Sequence, residues 1–123
     1  MKKILVIEDE LAICDLLATM LRKKGYEVIL AGNGKDGLAR FRAERPDLTV
    51  LDLKMPPAMD GLTVLKKLHA ADPKTPVVVL TGADIEESEE QLLALGAAAL
   101  IRKEVSLHRL GDTLKRLLHP HMI

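Results

Sequence analysis

One stretch of the chain contains Leu48-Thr49-Val50-Leu51-Asp52, a mostly apolar run that ends in a carboxylate. An unbroken apolar run is typical of a strand that is covered on both faces in a parallel sheet. Four similar runs, the last of them weaker, are Ile4-Leu5-Val6-Ile7, Val28-Ile29-Leu30, Val77-Val78-Val79-Leu80 and Ala98-Ala99-Leu100-Ile101. The chain therefore contains five candidate strands.

Segments with the apolar spacing of helices follow each of these runs. The spacing predicts helices over 11–24, 34–44, 62–71 and 85–95, and a last helix from about Leu107. Gly25 and Gly96 are expected to end the first and the fourth helix. Alternating strands and helices predict an α/β fold with helices on both faces of a parallel sheet. With 123 residues, the chain predicts one domain, residues 1–123, built on a doubly wound five-stranded parallel sheet in the order 2-1-3-4-5.

Composition and charge limit the classes of function. Eighteen basic residues balance 18 acidic ones, which argues against nucleic acid or an anionic membrane as a direct partner. Cys14 is the only cysteine, so no disulfide can form within the chain, and it is expected to be a packing residue of the first helix. Neither a signal peptide nor a membrane span is recognised in the sequence, so the cytoplasm is the expected location.

Polar residues stand where the candidate strands end. In a doubly wound sheet, ligands bind at the carboxyl ends of the strands where the strand order reverses, here between the first and third strands. The residues that meet this edge are Glu8, Asp9, Asp52, Thr81 and Lys103. Three carboxylates at one edge repel one another, and a hard divalent cation such as Mg²⁺ (or Mn²⁺) would remove that cost. A metal, a hydroxyl and an ammonium group around one carboxylate predict a phosphoryl-transfer site with Asp52 as the nucleophile.

Each of these residues also has a plainer interpretation. Glu8 and Asp9 could cap the first helix. Asp52 and Thr81 could be turn residues, and Lys103 could be a solvated surface charge. The joint placement of all five at one predicted edge favours the functional interpretation.

Several motifs make the chain resemble the receiver domain of two-component response regulators. The matching segments are Ile4-Leu5-Val6-Ile7-Glu8-Asp9-Glu10, Pro46-Asp47-Leu48-Thr49-Val50-Leu51-Asp52-Leu53-Lys54-Met55-Pro56, Met59-Asp60-Gly61, Val78-Val79-Leu80-Thr81-Gly82, Leu95-Gly96-Ala97 and Lys103. The resemblance implies a flavodoxin-like fold and a signalling switch rather than an enzyme. Only Mg²⁺-dependent self-phosphorylation and slow self-dephosphorylation are then expected as catalysis.

The resemblance also implies a role for each site residue. Asp52 is then the phosphoacceptor, with a phospho-histidine of a sensor histidine kinase or phosphotransfer protein as the donor. Thr81 and Lys103 would contact the phosphoryl oxygens. The implied Mg²⁺ ligands are Asp9, Asp52, the main-chain carbonyl of Lys54 and, through water, Glu8. A downstream partner protein is expected to bind the surface formed by the fourth helix, fifth strand and fifth helix.

The chain departs from the family pattern near its site. The segment from Asp52 to Gly61 is one residue longer than usual, with the extra residue near 56–58. Glu104 follows Lys103 where the family typically has proline. We predict a trans Lys103–Glu104 bond, because a cis bond before a residue other than proline costs about 2.5–4 kcal/mol.

A third departure concerns how a signal would leave the site. Leu100 occupies the strand-five position that usually holds an aromatic residue in the family. The expected output therefore depends on Thr81 and the loop 82–84, with a modest population shift on phosphorylation.

Two other classes of function remain open. Metal-dependent phosphohydrolases also use strand-end aspartates, but Lys54 stands where such an enzyme would need an acid or base. A degenerate receiver could act as a docking module without phosphorylation, although the complete set of site residues argues against it. Whether the chain stands alone or belongs to a longer protein stays open.

Overall fold

Strands and helices alternate along the chain, as the apolar runs predict. The computed structural model describes residues 1–54, 60–82, 87–102 and 107–119, apart from the side chains of Thr81, Leu107 and His108. In chain order, the elements are β1 (Lys3–Ile7), α1 (Leu11–Lys23), β2 (Glu27–Ala31), α2 (Gly34–Glu44), β3 (Leu48–Asp52), α3 (Gly61–Ala71), β4 (Val77–Thr81), α4 (Glu89–Ala94), β5 (Ala99–Arg102) and α5 (Leu107–Leu118).

The start of α4 is the boundary that differs most from prediction. The predicted helix began at residue 85, whereas α4 begins at Glu89, and residues 85 and 86 lie outside the described ranges. Ser88 and Gln91 form a capping box: the Gln91 N–H donates to Ser88 Oγ (3.2 Å), and the Ser88 N–H donates to Gln91 Oε1 (2.7 Å). This reciprocal pair satisfies two backbone donors and so begins the helix after Ser88.

The five strands form one parallel sheet in the order β2-β1-β3-β4-β5, which confirms the predicted order. β3 lies at the centre and pairs with β1 on one side and β4 on the other. In this register Ile7 is opposite Leu51, and Asp52 is opposite Leu80. The carboxyl ends of β1 and β3 are therefore neighbours at one edge of the sheet.

Alternate residues of each strand pack against different helix layers. On β1, Val6 packs with α1 and α5, whereas Ile7 packs with α2, α3 and α4. Because both faces of the sheet are covered, every residue of β3 is buried. This is why the run before Asp52 is apolar apart from the buried Thr49. Asp52 has the same parity as Val50, which packs in the α1–α5 layer, so its side chain projects toward that layer.

Two helices end as the glycine positions predict. Gly25 and Gly96 have φ values of 92° and 114°, which residues with a Cβ rarely adopt. Gly25 follows the C-cap of α1, and Gly96 follows the C-cap of α4. Within the described ranges, every helix is too short or too polar to cross a membrane.

Candidate functional site

Three carboxylates meet where β1 and β3 end. Glu8 and Asp9 follow the last residue of β1, and Asp52 is the last residue of β3. One carboxylate oxygen from each of the three residues lies within 4.8 Å of the other two. The structure thus brings together the acidic residues that the strand ends predict, at the point where the strand order reverses.

The cluster is buried on one side and open on the other. Glu8 and Asp52 are each 1% exposed, whereas Asp9 is exposed to solvent. Two like charges about 4 Å apart repel by about 4 kcal/mol at an effective dielectric constant near 20. A bound cation would relieve that repulsion, and the exposed Asp9 marks the side from which it would enter.

Backbone groups orient two of these carboxylates. The Lys54 N–H donates to Asp52 Oδ1 (3.1 Å), and the Glu10 N–H donates to Glu8 Oε2 (3.3 Å). In each case the donor lies two residues after the carboxylate, so the backbone turns directly after the strand and places its N–H on that carboxylate. Because the N-cap of α1 is Glu10, the alternative that Glu8 or Asp9 caps this helix is wrong.

The thiol of Cys14 supports the cluster from α1. Cys14 is 5% exposed, and its Sγ donates to the main-chain carbonyl of Glu8 (3.1 Å). Burial raises the pKa of the Cys14 thiol above its ordinary value, and the nearby Glu8 carboxylate raises this pKa further. Cys14 is therefore a buried, protonated packing residue, as predicted. Sequence reasoning missed its contact with Glu8, because no local pattern links a helix residue to the preceding strand end.

The two predicted phosphoryl contacts are only partly described. Thr81 is the last residue of β4, one position beyond Leu80, the partner of Asp52, so its backbone lies at the correct edge. Its side chain, and all of Lys103, lie outside the described residues. β5 ends at the exposed Arg102, directly before Lys103. The roles of Thr81 and Lys103 therefore stay predictions.

The departures from the family pattern are described to different extents. The segment 55–59, with the additional residue, and the Lys103–Glu104 peptide bond lie outside the described ranges. Their path and the trans bond stay predictions. Leu100 is half-buried on β5 and packs against the core cluster shared with α3 and α4.

The fold and the acidic cluster agree with a known family. Residues 4–115 match the response regulator receiver domain. The chain therefore belongs to the family of response regulator receiver domains, the signalling modules of two-component systems.

Curated relatives share this domain over almost the whole chain. The chain is 38% identical over 117 residues to the alkaline phosphatase synthesis transcriptional regulatory protein PhoP of Bacillus subtilis, covering 95% of the chain and 48% of PhoP. It is 36% identical over 121 residues to the transcriptional regulatory protein ZraR of Escherichia coli K12, covering 98% of the chain and 27% of ZraR. The chain thus spans between about a quarter and a half of these two relatives. It also matches the sporulation initiation phosphotransferase F of Bacillus subtilis, at 35% identity over 121 residues, covering 95% of the chain and 94% of the relative.

Solved structures show the same fold. A CheY-like response regulator receiver domain protein from Methanospirillum hungatei JF-1 superposes with a TM-score of 0.90 at 33% identity, covering 98% of this chain and 95% of that one. The chemotaxis protein CheY4 of Vibrio cholerae superposes with a TM-score of 0.85 at 28% identity, covering 95% of this chain and 98% of that one. The predicted flavodoxin-like fold is confirmed.

Proposed function

We propose that residues 1–123 form one receiver domain in which Asp52 accepts a phosphoryl group in a Mg²⁺- or Mn²⁺-dependent step. The observation that supports this most directly is the burial of Asp52 beside Glu8 and the exposed Asp9, with their oxygens within 4.8 Å of one another. The donor is the phospho-histidine of a sensor histidine kinase or phosphotransfer protein. The site acts in the cytoplasm as a switch, and its catalysis is limited to its own phosphorylation and slow dephosphorylation.

In the proposed phosphoryl transfer, the protein positions the Asp52 carboxylate for attack on phosphorus. An oxygen of Asp52 bonds to phosphorus while the bond between phosphorus and the donor's imidazole nitrogen breaks, and the nitrogen keeps the electron pair. Because the Lys54 N–H is bound to Asp52 Oδ1, the carboxylate has a defined orientation. Thr81 and Lys103 are proposed to contact the transferred oxygens, since a hydroxyl and an ammonium group suit the charge that develops there.

The donor set fits a small hard cation. Carboxylate and carbonyl oxygens with open positions for water are the ligands that Mg²⁺ prefers. The proposed ligands are Asp9, Asp52, the main-chain carbonyl of Lys54 and, through water, Glu8. When bound, the cation supplies charge neutralisation for the acidic cluster and for the incoming phosphoryl oxygens.

The first test is covalent labelling. Incubation with acetyl phosphate and Mg²⁺ should raise the intact mass by one phosphoryl group, and Asp52→Asn should abolish the increase because it removes the nucleophile. Asp47→Asn is the matched control: Asp47 lies at the opposite end of β3, where its carboxylate accepts the Lys3 N–H (2.7 Å). This variant should be labelled like wild type. Undiminished labelling of Asp52→Asn would exclude Asp52 as the acceptor.

A protein donor must approach from the open side of the cluster. Leu11 follows the acidic segment and is 81% exposed, and Leu16 on the same helix is 55% exposed. We propose that these side chains contact the donor protein, because both lie exposed on α1, the helix that follows the exposed Asp9. Leu11→Ser and Leu16→Ser should slow transfer from a phospho-histidine protein but leave acetyl phosphate labelling unchanged. Slower labelling by both donors would place the effect on the site instead.

The downstream partner is proposed to bind the α4-β5-α5 surface. Among the described residues, β5 is an edge strand that pairs with β4 alone, so a row of its backbone groups lies between α4 and α5. Leu93 of α4 is 43% exposed, and Arg102 of β5 is exposed. An apolar side chain and a cation around an open edge suit a protein partner rather than nucleic acid or a membrane.

A further inference from the structure

Leu53 is held on two sides directly after Asp52. Its N–H donates to the Leu80 carbonyl of β4 (3.1 Å). Its side chain is 7% exposed and packs in the core cluster that includes Val64 and Leu65 of α3. The backbone that follows the proposed phosphoacceptor therefore begins from a fixed residue.

Gly61, the first residue of α3, holds Leu53 on a third side. A Cβ built on Gly61 would lie 2.5 Å from Leu53 Cα and 2.6 Å from its carbonyl carbon, and it would overlap the carbonyl oxygen. These neighbours are backbone atoms, so they cannot move aside as the end of a flexible side chain can. α3 can therefore approach Leu53 this closely only because residue 61 has no side chain.

We propose that Gly61 is a positioning residue for Asp52. By packing directly on Leu53, Gly61 fixes the direction in which the chain leaves β3, and this keeps the Lys54 N–H on Asp52 Oδ1. The same contact places the Lys54 carbonyl, which lies one peptide unit further along. The consequence for the cation rests on the proposed function, whereas the consequence for the Lys54 N–H does not.

The test compares Gly61→Ala with Gly32→Ala by amide hydrogen exchange without metal. Gly32 follows β2 at the same edge of the sheet, and a Cβ there would have no heavy atom of the described residues within 4 Å, apart from Gly32 itself and its two chain neighbours. Exchange of the Lys54 amide should accelerate at least about tenfold in Gly61→Ala, because the bond to Asp52 opens more often. It should stay at the wild-type rate in Gly32→Ala. Equal exchange in wild type and Gly61→Ala would overturn the inference.

Magnesium titration tests the second consequence. Gly61→Ala should weaken Mg²⁺ binding at least about tenfold, the size expected when a residue that supports a metal ligand is lost. Absence of Mg²⁺ binding by wild type would contradict the proposed metal site, and the exchange result would still decide the role of Gly61.

Loss of folding must be separated from loss of positioning. If Gly61→Ala does not melt cooperatively in buffer, both measurements are repeated with trimethylamine N-oxide, which stabilises folded states because it is excluded from protein surfaces. Failure to fold there would also overturn the inference, since the contact would then be required by the fold rather than by the site.

Discussion

At the scale of single residues, we expect the charge of Asp9 to destabilise the metal-free cluster and to attract the proposed cation. Asp9→Ala should weaken Mg²⁺ binding at least about tenfold. Loss of a residue that supports a metal ligand already costs about tenfold in affinity, and loss of a proposed direct ligand should cost at least as much. The same change should raise the free energy of unfolding without metal by about 1 kcal/mol or less. The gain is small because Asp9 is exposed, so solvent partly screens its repulsion of the buried carboxylates. Metal titration and thermal unfolding, with and without Mg²⁺, measure both effects.

Asp15 provides the control for the Asp9 experiment. It is an exposed carboxylate on α1 and is not part of the three-residue cluster. Asp15→Ala should therefore bind Mg²⁺ almost as wild type does. If both variants lost the same affinity, general surface charge rather than ligation would explain the binding, and Asp9 would not be a metal ligand.

The acidic residues of the site were predictable, whereas the contacts that support them were not. Glu8, Asp9 and Asp52 follow or end apolar runs, and parallel strands bring such ends to one edge. The contact of Gly61 with Leu53 depends on the path of α3 across the sheet, which the sequence pattern does not define. The same applies to the bond from Cys14 to Glu8, since it depends on how α1 packs beside β1.

At the scale of elements, the position of α3 depends on the cap at its start. The carboxylate of Asp60 accepts the Thr63 N–H (2.8 Å), and this bond holds the pKa of Asp60 below its ordinary value. Asp60→Ala should lower the free energy of unfolding by about 1 kcal/mol at neutral pH, while Asp60→Asn retains a capping oxygen and should lose less. Urea unfolding of both variants and wild type measures the difference.

The cap also predicts how stability depends on pH. Because folding depresses the pKa of Asp60, its contribution is present above the unfolded-state pKa of about 3.9 and is lost as the pH falls through the lower folded-state value. The advantage of wild type over Asp60→Asn should therefore shrink as the pH falls below about 4. A constant difference between the two proteins from neutral to acidic pH would show that the charge of Asp60 does not contribute.

The apolar spacing predicted one helix with both of its boundaries correct. The range of α2, Gly34–Glu44, follows the prediction at both ends. α4 starts later than predicted, because the capping box of Ser88 and Gln91 determines its start more strongly than the acidic residues before it. The helix dipole interacts favourably with Glu89 and Glu90 in the actual first turn.

At the scale of the whole molecule, the sheet connects the acidic cluster with the proposed output surface. Asp52 on β3 is opposite Leu80 on β4, and the next residue, Thr81, is opposite Arg102 on β5. A displacement of Thr81 toward a phosphoryl group would therefore directly affect β5, the neighbouring edge strand. Strand order was predictable because parallel βα units restrict the possible topologies. The size of the coupling between Thr81 and β5 was not predictable from the sequence, since it depends on the packing around Leu100.

We expect Leu100 to limit the size of the proposed switch. It is half-buried against the core cluster shared with α3 and α4, and it has no ring to turn inward when Thr81 moves. We expect phosphorylation to change the free-energy difference between two conformations by about 1–3 kcal/mol, the usual range of allosteric coupling, and to shift their populations only in part. Beryllofluoride, a phosphoryl mimic, should move backbone NMR signals of residues 87–102 part of the way toward a second state.

Asp52→Asn should show no such change, because it cannot bind the mimic as a carboxylate does. Signals that change only around the acidic cluster, and not in α4 or β5, would rule out the α4-β5-α5 surface as the output of this site.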